Sequence, residues 1–277
     1  MFNVGFWQAQ NGSAAGVSRL PLSGVERTKA HPQKVALTQV LPTKADCVEL
    51  SPTMCGRFTQ AYTWQEIRDL YDLTGTAQNL EPRYNIAPTQ QIDVVYIPDD
   101  TRLLARMRWG LIPPWWKKTA KETPSTFNAR AETVAEKPFF RSAFKRQRCI
   151  IPASGFYEWV SAGKDQPKQP HYITAKDGSP LAFAGLWSRW HDIETDAEVL
   201  SATIIVTDAN KLLRPIHDRM PVILEPENVA PWLSGDAGTE LLMPAAEEKL
   251  TSWPVSTRVN KTGGTDDASL IAFIGSA

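Results

Sequence analysis

Apolar positions first become regular at Trp64, Ile67, Leu70 and Tyr71, which share one helical face. Thr63-Trp64-Gln65-Glu66 just ahead has the spacing of a capping box, so a short amphipathic helix ending near Leu73 is predicted. Arg83-Tyr84-Asn85-Ile86-Ala87-Pro88-Thr89 reads as an irregular loop. The period then shortens to that of strands. Apolar-rich runs at 92–97 and 102–109 flank Pro98-Asp99-Asp100 and predict a hairpin. Further strand-like runs lie at 148–151, 155–160, 171–174, 181–187, 199–207, 221–224 and 253–259, whereas helical patterning is confined to 136–145, 208–213, 229–233 and 240–250. With no βαβ alternation and no internal repeat, the expected fold is α+β: mainly antiparallel β, with a curved or barrel-like core and a few short helices.

Residues 1–53 break this picture. Gly, Ser, Thr and Pro are scattered through them without sustained periodicity, and no basic region precedes a compact apolar one, so they make a poor signal peptide. They are expected to be a disordered leader or the product of a mis-assigned start, with the folded domain at 54–260 and a tail at 261–277. Glu26, Asp46 and Glu49 interrupt the basic residues that a transit peptide would need. The three cysteines lack CxxC spacing and the four histidines form no close pair, so neither a disulfide framework nor a metal site is expected and a reducing compartment fits.

The formal net charge is zero, yet it is unevenly distributed. Residues 102–148 carry twelve Lys or Arg against three acids, whereas 149–277 carry ten bases and seventeen acids. A surface divided in this way attracts phosphate on one side only. The densest basic run, Lys137 to Arg148, reads on charge alone equally well as a solvated face or as a nucleic-acid contact. Trp115 and Trp116 favour the second reading. They sit on a Gly/Pro-bounded loop, Trp109-Gly110-Leu111-Ile112-Pro113-Pro114-Trp115-Trp116, where exposed rings stack on bases. Trp109, at a strand end, is expected in the core. Without a helix-turn-helix, zinc-finger or RNP signature, recognition of shape or of a lesion is expected.

Three stretches offer acid–base groups. Asn128 and Arg130 stand two residues apart in Phe127-Asn128-Ala129-Arg130, also readable as a capped turn. Glu158 lies among aromatics in Gly155-Phe156-Tyr157-Glu158-Trp159, a setting that raises a carboxyl pKa by desolvation and suits a general acid. His217 lies beside Asp218 and Arg219, although a lone histidine is more often structural.

Met54-Cys55-Gly56-Arg57-Phe58 adds a distinct possibility. If Met54 starts the chain and is removed, Cys55 carries a free α-amine beside its thiol. The amine, with a reference pKa of about 7.7–8.0, keeps a useful neutral fraction at neutral pH. A 1,2-aminothiol closes a thiazolidine ring on an aldehyde. The plain alternative is that Cys55 is a small buried apolar residue.

Together the blocks at 54–58, 83–88, 109–116, 128–133 (Asn-Ala-Arg-Ala-Glu-Thr), 155–159 and 216–221 (Ile-His-Asp-Arg-Met-Pro) resemble the SRAP family, the SOS response-associated peptidases. The resemblance implies a mainly β fold and capture of abasic sites in single-stranded DNA. Cys55 would be the nucleophile, Asn128 would position the amine or sugar, Glu158 would assist ring opening, and His217 would aid proton transfer. Arg57, Asn85, Arg130 and Arg219 would hold phosphates, with Trp115 and Trp116 near unstacked bases. Neither cofactor nor membrane is implied. A monomer is expected, in the cytoplasm if the host is bacterial. Two other readings stay open: a cysteine peptidase that removes its own leader, and a single-strand binding module that does not use Cys55.

Overall fold

The strand-like runs pair into two sheets. In chain order the strands are β1 (Phe58–Gln60), β2 (Arg83–Ile86), β3 (Gln91–Tyr96), β4 (Leu103–Trp109), β5 (Asn128–Arg130), β6 (Arg148–Ala153), β7 (Gly155–Val160), β8 (Gln169–Ala175), β9 (Leu181–His191), β10 (Glu198–Asp208), β11 (Arg219–Pro221) and β12 (Leu250–Pro254). The helices are α1 (Trp64–Tyr71), α2 (Arg141–Arg146) and α3 (Pro226–Ser234). This computed structural model describes residues 55–160 and 168–275, all within one unit, Leu50–Ala277. Met54 and the leader expected at 1–53 lie outside the described residues.

One sheet runs β12-β8-β7-β1-β2. The other runs β10-β4-β3-β6-β9 and closes because β9 also pairs with β10, from His191 opposite Glu198 to Gly185 opposite Ile204. The fold is thus α+β with a closed five-stranded barrel. Strand β10 is long enough to carry more than the ring: β5 joins it in parallel at Ile204–Val206 and β11 antiparallel at Val206–Asp208.

Phe58, Phe156 and Phe183 meet between the two sheets, and Trp109 stands edge-on to Phe58 at 4.9 Å. These four side chains are at most 1% exposed. Tyr157 and Tyr172 face the other way into a smaller cluster with Val255 and Val259. Along β7, therefore, Phe156 and Glu158 point inward while Tyr157 and Trp159 point outward, the period of two expected for a strand. Gly155 lets β7 lie close to β8, since a Cβ there would fall 2.5 Å from the carbonyl oxygen of Ile173.

Helix α1 forms as its sequence predicts. Thr63 Oγ1 accepts from the Glu66 amide (3.2 Å) and Glu66 Oε2 accepts from the Thr63 amide (2.6 Å), while Ile67 and Tyr71 are buried. Other expected helices differ. At 208–213 the chain finishes β10 and turns, with Asn210 Oδ1 accepting from the Leu213 amide in place of a helical partner. At 240–250 Pro244 interrupts the chain, leaving 3₁₀ turns at Thr239–Leu241 and Glu247–Lys249 before β12. The run at 136–145 is mostly turns followed by α2, and 229–233 is the middle of α3. The strand expected over 253–259 is β12, which ends at Pro254 and is followed by a 3₁₀ turn capped by Ser256. Residues set apart as a tail fold back, with Leu270 buried and the Ile271 carbonyl accepting from Trp253 Nε1.

Candidate active site

Cys55 stands immediately before β1, against the inner face of β7. Its backbone nitrogen donates to Glu158 Oε1 at 2.8 Å, and both residues are buried, at 3% and 1% exposed. Asn128, opening β5, brings Nδ2 to 3.5 Å from the Cys55 carbonyl oxygen. The Cys55 φ is +40°, a left-handed torsion that is rare outside glycine and asparagine.

Burial pushes the Glu158 carboxyl up to about 8, as its aromatic setting predicts; hydrogen bonds from Cys55 and the Lys168 charge oppose the rise, and Asp218 adds to it. Glu158 is therefore largely a neutral acid at neutral pH. Burial, and then the Glu158 charge, raises the Cys55 thiol well above its ordinary value. The site holds a protonated thiol and a protonated carboxyl until a reactant arrives.

His217 is half-buried in the turn before β11. Its Nδ1 accepts from the Arg219 amide at 3.0 Å, and Asp218 Oδ1 lies 2.9 Å from the same nitrogen. The amide needs a bare nitrogen and the carboxylate a protonated one, so the two contacts are hydrogen bonds only in different protonation states. Burial lowers the ring's pKa more than Asp218 raises it. Near neutral pH the bare Nδ1 and a protonated Nε2 prevail.

The expected DNA contacts are placed unevenly. Trp115 is 45% exposed, Trp116 is half-buried with Nε1 donating to the Thr119 carbonyl (3.0 Å), and both rings pack against Phe139. Arg130 is exposed at the end of β5. Arg219 bonds Glu132 and lies 3.3 Å from Asp208. Arg57 and Asn85 bond each other. Arg148, part of the basic run, is instead structural: its guanidinium lies over the Phe144 and Trp232 rings at 4.7 and 4.6 Å.

The structure joins Cys55, Glu158 and Asn128 directly, from three separated sequence blocks. Residues 54–262 match the family described as SOS response associated peptidase. The chain belongs to the SRAP family. It is 39% identical over 214 residues to the abasic site processing protein YoaM of Bacillus subtilis, covering 75% of this chain and 93% of that one. It is 33% identical over 245 residues to the abasic site processing protein HMCES of Xenopus tropicalis, covering 76% and 70%. Among solved structures, a Bacteroides thetaiotaomicron protein superposes with a TM-score of 0.70 at 27% identity, over 79% of this chain and 99% of the other.

Sequence reasoning did not single out Lys168, Asp218 or His171 for this SRAP site. Lys168 and Asp218 act on it through charge. His171 stands opposite Glu158 in the β7–β8 register, a proximity that no local motif encodes. Among the described residues no cluster of three His, Cys, Asp or Glu is arranged to hold a metal, and no helix is long and apolar enough to cross a membrane.

Proposed function

We propose that the protein processes abasic sites in single-stranded DNA by covalent capture, in a form that begins at Cys55. The observation that carries this reading is the 2.8 Å contact between the Cys55 nitrogen and Glu158 Oε1. The carboxyl addresses the nitrogen of Cys55, and in a processed chain that nitrogen is the α-amine. The same carboxyl also hydrogen-bonds the Cys55 thiol, so both groups of the aminothiol meet at Glu158.

The abasic sugar interconverts between a closed hemiacetal and an open aldehyde. Glu158, protonated near neutral pH, gives a proton to the ring oxygen as the ring opens, and His217 takes the hemiacetal hydroxyl proton at Nδ1, exchanging the Arg219 amide for the Asp218 carboxylate as its partner. The neutral α-amine then adds to C1′, water leaves, and a Schiff base forms. The Cys55 thiol adds across the C=N bond: sulfur bonds to C1′, and the thiol proton moves to the nitrogen. Asn128 holds the Cys55 carbonyl so that amine and thiol reach the same carbon. The family's relatives named as abasic site processing proteins support the substrate class.

Intact mass after mixing the chain begun at Met54 with abasic single-stranded DNA tests the proposal. A heat-stable adduct, equal to protein plus DNA less one water, is expected. A full-length chain that shortens itself to Cys55 without forming an adduct would favour self-cleaving peptidase activity, and retained binding with no adduct in either chain would reduce the protein to a binding module.

A further inference from the structure

Beside the lesion site lies a cleft of about 520 Å³ that the chemistry above does not use. Phe127, which lines it, directly precedes Asn128, and Trp109 forms a shared wall with its Nε1 donating to the Phe127 carbonyl at 2.9 Å. The lining contains Arg108 and Lys121, the hydroxyls of Thr89, Thr123, Ser125 and Thr126, and no acidic side chain.

Arg108 is the informative residue. Its guanidinium is half-buried, and its Nη1 donates to the Gly110 carbonyl at 2.7 Å. No carboxylate among the described residues lies within ion-pairing distance of it. Partial burial of a cation costs desolvation that a counter-charge ordinarily offsets. Here burial lowers its pKa with no acid to offset the loss. The backbone is shaped around this group: Gly110 adopts φ +129°, and a Cβ there would fall 2.5 Å from Arg108 Nη1. Glu122, the acid next to Lys121, is turned away, bonding the Thr119 amide and hydroxyl at 3.1 and 3.0 Å.

We propose that this cleft binds one nucleotide of the damaged strand, next to the abasic residue. Arg108 and Lys121 take its phosphate, the hydroxyls take its sugar, and Pro88, Pro124 and Phe127 cover its apolar faces. The volume exceeds that of a bare phosphate and suits a nucleoside with its phosphate. The loop between β4 and β5 carries Trp115 and Trp116 and also, from Ala120 to Phe127, much of the cleft lining. This inference rests on the reading that the substrate is single-stranded DNA, and its test separates the two.

Fluorescence anisotropy with undamaged single-stranded DNA is measured across a salt series for the wild-type chain, Arg108→Gln and Lys121→Gln, and adduct yield is measured at saturating abasic DNA. Each variant is expected to bind about tenfold more weakly, with the log–log salt slope reduced by about 0.7. Lys121 is exposed, so its variant folds even if Arg108→Gln does not. Wild-type affinity and slope in the Lys121 variant would overturn the nucleotide site while leaving covalent capture intact; absence of adduct in the wild-type chain begun at Met54 would overturn capture alone. Millimolar thymidine 5′-monophosphate is expected to compete only weakly. Tight, Lys121-dependent binding of that free nucleotide would reject the strand assignment in favour of a soluble ligand.

Discussion

Arg57 Nη1 donates to Asn85 Oδ1 at 2.7 Å, and both side chains also donate to the carbonyl oxygen of Val259. Asn85 Nδ2 reaches the Lys261 carbonyl as well, at 2.9 Å. The pair therefore ties β1 and β2 to the chain beyond β12. Asn85→Ala is expected to cost about 1–3 kcal/mol of stability by removing the donors to the Val259 and Lys261 carbonyls and the acceptor of Arg57. Denaturant unfolding checks this, and an unchanged midpoint would leave Asn85 only a DNA-facing role.

Cys55→Ala should abolish the stable adduct yet hold undamaged single-stranded DNA within about threefold of the wild-type affinity, because phosphate contacts and stacking carry binding. Denaturing gels on abasic DNA and anisotropy on intact DNA read the two effects separately. An SDS-resistant adduct from the alanine variant would move the nucleophile to a lysine.

Trp115 is exposed and stacks only on neighbouring rings, so Trp115→Ala should leave the melting temperature unchanged and weaken single-strand binding by about 1–3 kcal/mol. Arg130→Ala should flatten the log–log salt dependence by about 0.7. Unaltered binding in both variants would return the loop and β5 to a structural role.

The Glu158 carboxyl, raised from 4.5 to about 8, gives two pH signatures. A group whose folded pKa lies above its unfolded one contributes stability that is fully present below pH 4.5 and lost as pH rises towards 8. Glu158→Gln cannot ionise, so full-chain wild type should lose more thermal stability than the variant between pH 5 and pH 8. The same substitution removes the general acid and should slow adduct formation by about 10²–10⁴-fold. In the wild type the rate should fall above pH 8, as the acid deprotonates, and also well below neutrality, as the amine becomes protonated. A rate that climbs steadily to pH 10 would discard Glu158 as the acid.

Blocking the amine is the most direct test of the aminothiol. A chain in which an uncleavable tag precedes Cys55 can form at most a reversible hemithioacetal with the aldehyde. No heat-stable adduct is expected from it, while the chain begun at Met54 crosslinks after methionine removal. A stable adduct at the normal rate from the blocked protein would refute the thiazolidine.

The sequence displays those parts of the molecule whose cause is local. The α1 cap, the β3–β4 hairpin and the β7 alternation that turns Glu158 inward all follow from neighbouring residues. Strands β1, β2 and β5 do not, because each has only three or four residues and exists through partners distant in the chain, such as Phe58 opposite both Ile86 and Phe156. Closure of the barrel between β9 and β10 is equally non-local. The candidate site residues could be named from sequence because their motifs are compact. Their convergence was not legible there, since Cys55 and Glu158 stand 103 positions apart. The cleft around Arg108 was missed because its informative property is a missing counter-charge, visible only once the chain is folded.

The left-handed torsion at Cys55 bears on the direction of processing. Positive φ is disfavoured largely because the carbonyl oxygen of the preceding residue crowds Cβ. While residue 54 remains attached, that conformation stores about 1–3 kcal/mol. Cleavage of the bond removes the offending oxygen, and an amino terminus can occupy the same place without strain. In a chain that begins at Cys55 this torsion carries no such cost, so the proposed processing and the folded site would favour the same end.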